Sequence, residues 1–96
     1  MIKLNKLAKL CLQTAYKRGK ITKESSPRVV IMHISGEWRE LCDATKFKSK
    51  HLPQYSEQEE EAADIIIATI TYLQRIGCKS IEQLIRDKIE YNKNRN

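Results

Sequence analysis

The chain has 96 residues, 41% of them hydrophobic, which suits one domain with a modest core and speaks against a disordered polyelectrolyte. Aromatic residues make up 6%, and the three glycines and two prolines are few, so helix formers dominate and a strand-and-turn architecture is excluded. A formal net charge of +6 points to a polyanionic partner without choosing among nucleic acid, anionic lipid and nucleotide phosphates.

Leu4, Leu7, Ala8, Cys11 and Ala15 recur at helical spacing, which predicts an amphipathic helix from about Lys3 to Arg18, stopped near Gly19. Lys3, Lys6 and Lys9 interrupt the apolar residues between Met1 and Leu12, so neither a signal peptide nor a membrane span is expected, and the protein is expected in the cytoplasm. Ser25, Ser26 and Pro27 set a capping serine before a proline suited to a first turn. They predict a second helix through Val30, Ile31, Ile34, Trp38, Leu41 and Cys42 to about Thr45. Lys46 to Tyr55, with Pro53 inside, reads as an exposed basic loop.

Ser56 with Glu59 forms a capping box that opens a third helix, which runs to Ile76 before Gly77. Its apolar residues wrap most of the circumference, so it belongs in the middle of the fold. After the turn from Gly77 to Lys79, Ser80 with Gln83 reads as another capping box. Ile81, Leu84, Ile85 and Ile89 then predict a fourth helix to about Asn92. The expected fold is all-α: one domain over residues 1–96, a four-helix bundle completed by oligomerisation into a homodimer or homotetramer. Cys11, Cys42 and Cys78 fit neither a disulfide framework nor zinc spacing and read as buried, reduced thiols.

Two acidic pairs stand out, Glu37 with Glu40 on the second helix and Glu61 with Asp64 on the third. Within each pair the residues are three apart and share a helical face. Glu37 falls within the apolar stripe, beside Ile34 and Leu41, and Asp64 directly precedes Ile65, Ile66 and Ile67. Carboxylates crowded against apolar surface repel one another and lose hydration, a cost that a divalent cation removes. Mg²⁺, or Mn²⁺ in its place, takes hard oxygen ligands of this kind. Ordinary solvated faces also carry such pairs, and Arg39 or Lys88 would serve equally as an ion-pair partner. Trp38 and Tyr16 read as packing, and His33 and His51 have no partner at ligand spacing.

The segments Glu37-Trp38-Arg39-Glu40 and Glu61-Ala62-Ala63-Asp64, in this order on successive helices, resemble the ExxE and ExxD motifs of the MazG-like all-α nucleoside triphosphate pyrophosphohydrolases. The helix ending in Arg18-Gly19, the stretch from Ile34 to Glu37 and the tail from Lys88 to Arg95 extend the resemblance over nearly the whole chain. The resemblance implies Mg²⁺-dependent hydrolysis of an NTP or dNTP to the monophosphate and pyrophosphate. It also implies that Glu37, Glu40, Glu61 and Asp64 hold the metal and act in catalysis, and that Lys88, Asn92 and Arg95 contact the nucleotide. Two alternatives are a MazG-like sensor that binds nucleotide without cleaving it and a basic helical module for nucleic acid. The acidic residues on the apolar side of the central helices speak against the second.

Overall fold

A computed structural model describes residues 3–95. It contains four α-helices and no strand among the described residues: α1 (Leu4–Lys17), α2 (Pro27–Asp43), α3 (Glu57–Arg75) and α4 (Ile81–Lys93). The ends follow local chemistry. Gly19 adopts φ 72° past the end of α1 and lets the Lys20 amide donate back to the Ala15 carbonyl over 3.1 Å. Ser26 caps α2 by accepting from the Arg28 amide, with Pro27 at the first position. Ser56 and Glu59 form both bonds of the capping box on α3.

The expected box on α4 is only half made. Ser80 Oγ accepts from the Gln83 amide, but the Gln83 side chain donates to Asp87 over 2.8 Å. Ser80 is instead tied to α1, whose Asn5 donates to its hydroxyl and accepts from the Glu82 amide over 3.0 Å. That clamp, together with Ile81, docks the start of α4 onto a core of Ala8, Ile70 and Ile81, flanked by Leu4, Cys11, Leu73 and Cys78. Cys11 and Cys78 are half-buried, whereas Cys42 is exposed, because it lies on the outer face of α2.

As its composition predicts, α3 is central, and α1, α2 and α4 all pack on it. α1 also meets α4 but does not pack on α2, and α2 does not meet α4. A cleft therefore separates α1 from α2, with α3 as its floor. The segment between α1 and α2 is pinned from α3: the Arg75 guanidinium donates to the carbonyls of Lys23 and Ser25 over 2.9 and 2.7 Å. Replacing Arg75 with alanine leaves two carbonyls without this donor, and we expect a loss of about 1–2 kcal/mol in chemical denaturation. An unchanged midpoint would mean that water replaces the contact at no cost.

The basic loop before α3 is less free than its composition suggests. Ser49 is buried, and its hydroxyl donates to Glu60 while accepting from the amides of His51 and Leu52. His51 Nδ1 lies 3.1 Å from the other Glu60 oxygen, so this histidine ties the loop to α3. The Ser49 hydroxyl, and then His51, hold the Glu60 carboxyl below its ordinary range. Among the described residues, no helix is long and apolar enough to cross a membrane.

Candidate metal centre

The two acidic pairs meet where α2 crosses the cleft floor. Val30, His33 and Glu37 follow one another along one face of α2, while Glu61, Asp64, Ala68 and Thr71 do the same on α3. Packing the two helices together brings one carboxylate oxygen each of Glu37, Glu61 and Asp64 within 4.8 Å of one another. All three side chains are half-buried. Glu40 is exposed and stands beside the cluster, near enough for its charge to raise both Glu37 and Glu61.

Protonation follows from this crowding. Burial, and then the Glu40 carboxylate, push Glu61 up to about 7 from an ordinary 4.5. Glu37 is raised by burial and then by Glu40 and Asp64, and Asp64 is raised by burial and then by Glu60 and Glu40. Two oxygens remain without a partner although solvent scarcely reaches them, Oε2 of Glu37 and Oε2 of Glu61. Orphaned acceptors of this kind cost free energy in the isolated chain. A hard divalent cation fits this donor set, because it accepts several carboxylate oxygens at once and replaces their mutual repulsion with attraction. Neither Arg39 nor Lys88 forms an ion pair with these acids among the described residues.

The cleft beside the cluster has a volume of about 240 Å³. Leu7, Leu10, Ile21, Val30 and Ile67 give it apolar walls, and Glu37 and Asp64 face into it together with His33, Arg18 and Lys20. Sequence spacing alone did not single out the last three. Their shared position depends on the gap between α1 and α2, which no local periodicity encodes.

Lys88, Asn92 and Arg95 lie elsewhere. All three are exposed and gather around Tyr91: the Lys88 ammonium is 4.6 Å and the Arg95 guanidinium 5.8 Å from the ring centre. Arg95 also donates to the Asn92 side chain. None of the three lines the cleft, and on α4 only Ile81 belongs to the buried core. The inward direction expected from their alignment with Ile81 is not seen within one chain. Trp38, expected to pack, is 62% exposed on the outside of α2.

Fold and site thus define an all-helical protein with a clustered-carboxylate centre beside an apolar cleft. In comparisons with protein-family models, curated proteins and solved structures, the chain finds no match in any of the three.

Proposed function

We propose that the chain is a MazG-like, Mg²⁺-dependent nucleoside triphosphate pyrophosphohydrolase that cleaves an NTP or dNTP to the monophosphate and pyrophosphate. The observation that carries this reading is the cluster of Glu37, Glu61 and Asp64 with two unpartnered, water-shielded oxygens at the edge of a cleft. These three residues would hold the ion, with Glu40 beside them. A bound Mg²⁺ or Mn²⁺ supplies charge neutralisation for phosphate oxygens and a more acidic water. In the hydrolysis, a water oxygen bonds to the α-phosphorus, the bond to the bridging oxygen breaks, and pyrophosphate leaves. The proton of that water passes to a carboxylate, a role we assign to Glu40 because it stands outside the tight cluster.

The test is ³¹P NMR of the protein with Mg²⁺ and a panel of canonical and modified NTPs and dNTPs. Monophosphate with pyrophosphate supports the reading, while diphosphate with inorganic phosphate means a different hydrolase. Nucleotide binding without any product leaves the sensor in its place.

The same reading includes a homo-oligomer. The single chain exposes 7743 Å², whereas a compact monomer of 11.2 kDa exposes about 5700 Å². An excess of about 2000 Å² per chain, or about 4000 Å² over two chains, lies within the total area that obligate homodimer interfaces bury. Ile31, Met32 and Trp38 on α2 and Ile66 on α3 supply exposed apolar surface for such a contact. Lys88, Asn92 and Arg95 would then serve a site on a neighbouring copy. Sedimentation velocity should find a dimer or tetramer at micromolar concentration, and Ile66→Lys should move it toward monomer. A wild-type monomer at every concentration would remove the oligomer from the account.

A further inference from the structure

Resting on the proposed reaction, we propose that Arg18 and Lys20 hold the substrate's phosphates at the solvent edge of the cleft between α1 and α2. A triphosphate carries more negative charge than one divalent ion offsets, and three carboxylates already claim part of that ion's charge. Further cations must face the same space. Within one chain, Arg18 and Lys20 are the Lys and Arg side chains that line the cleft, together with Glu37 and Asp64.

Both are exposed, and among the described residues neither forms an ion pair. Their donors are therefore free for a ligand. Both nevertheless line the same cleft as Glu37 and Asp64, so their charge faces the centre.

The backbone that carries them is held in place. Between the two residues, the positive φ of Gly19 closes the end of α1, with the Gly19 and Lys20 amides donating to the Tyr16 and Ala15 carbonyls. After them, Ile21 is 3% exposed, and Arg75 grips the carbonyls of Lys23 and Ser25. Two long cationic side chains on an anchored turn lose less entropy on binding than the same pair on a free loop. Lys46, Lys48 and Lys50 carry more charge, yet they belong to the loop before α3 and do not line the cleft.

The test is calorimetric titration of inorganic pyrophosphate, in saturating Mg²⁺, into wild-type protein, an Arg18→Ala/Lys20→Ala variant and a Lys46→Ala/Lys48→Ala variant with the same loss of charge. Each protein is also titrated with Mg²⁺ alone. We expect the first variant to bind pyrophosphate at least about tenfold more weakly while its Mg²⁺ binding is undiminished. The second variant should match wild type. Arg18→Lys/Lys20→Arg should keep most of the affinity.

Equal affinity in wild type and the first variant would overturn the proposal, as would an equal loss in the charge-matched variant. Wild type that binds Mg²⁺ but not pyrophosphate would overturn it as well. Failure of wild type to bind Mg²⁺ at all would instead strike the metal centre itself.

Discussion

Replacing Glu61 with glutamine should reduce hydrolysis at least about 10³-fold and yet make the metal-free protein more resistant to heat. Glutamine keeps the shape of the side chain but removes the charge that a cation needs. It also removes one member of a group in which burial and Glu40 oppose ionisation. The two effects therefore have opposite signs. A residue serving only the fold would lose stability on substitution, and one on an ordinary solvated face would change neither property. The comparison requires turnover at saturating Mg²⁺ beside the melting temperature in chelator. Lower activity combined with lower stability would point to a structural role. Full activity would remove Glu61 from the centre. Glu40→Gln should slow turnover while sparing Mg²⁺ affinity more than Glu61→Gln does, since Glu40 stands outside the tight cluster.

Metal binding and stability should also respond to pH in opposite directions. Glu61 titrates near 7 in the folded chain and near its ordinary 4.5 when unfolded. Between these values the unfolded chain binds fewer protons than the folded one, so stability of the metal-free protein falls as pH rises and levels off above about 7. Glu37 and Asp64 are raised as well and add to this fall. Glu60, held low by Ser49 and His51, acts oppositely: its contribution is present above the ordinary carboxylate range and is lost on acidification. Mg²⁺ must displace the proton on Glu61, so its affinity should drop about a hundredfold from about pH 8 to about pH 5. Thermal unfolding across this range, with chelator and with Mg²⁺, reads both trends. A metal-free protein whose stability rises steadily from mildly acidic to neutral pH would contradict the crowded cluster. A pH-independent Mg²⁺ affinity would contradict Glu61 as a ligand.

Much of this arrangement is legible in the residues because its causes are local. Ser26 before Pro27, Ser56 with Glu59, and Gly19 and Gly77 set the helix ends by backbone chemistry within one turn. The spacing of Glu37 with Glu40 and of Glu61 with Asp64 puts each pair on one face. The apolar circumference of α3 requires neighbours on several sides, so α2 and α3 must meet. What escaped the sequence is set by longer-range contacts. Gln83 donates to Asp87 one turn further along α4, and Ser80 takes a bond from Asn5, 75 positions away, which no local spacing encodes. The hold of Ser49 and His51 on Glu60 crosses from an irregular loop to a helix and leaves no periodic trace. Lys88, Asn92 and Arg95 share a face as their spacing implies, but spacing cannot say that α4 gives only Ile81 to the buried core. Arg18 and Lys20 gain meaning only once α1 and α2 are seen to stand apart over α3.

The most direct measurement is electron paramagnetic resonance of Mn²⁺ titrated into wild-type protein and Glu61→Gln at neutral pH, with Mg²⁺ as competitor. The account predicts that wild type captures the free-ion signal, that Mg²⁺ releases it, and that the variant leaves the ion in solution. A wild-type protein that binds no Mn²⁺, or a variant that binds it equally well, would contradict the claim that Glu37, Glu61 and Asp64 form one metal centre.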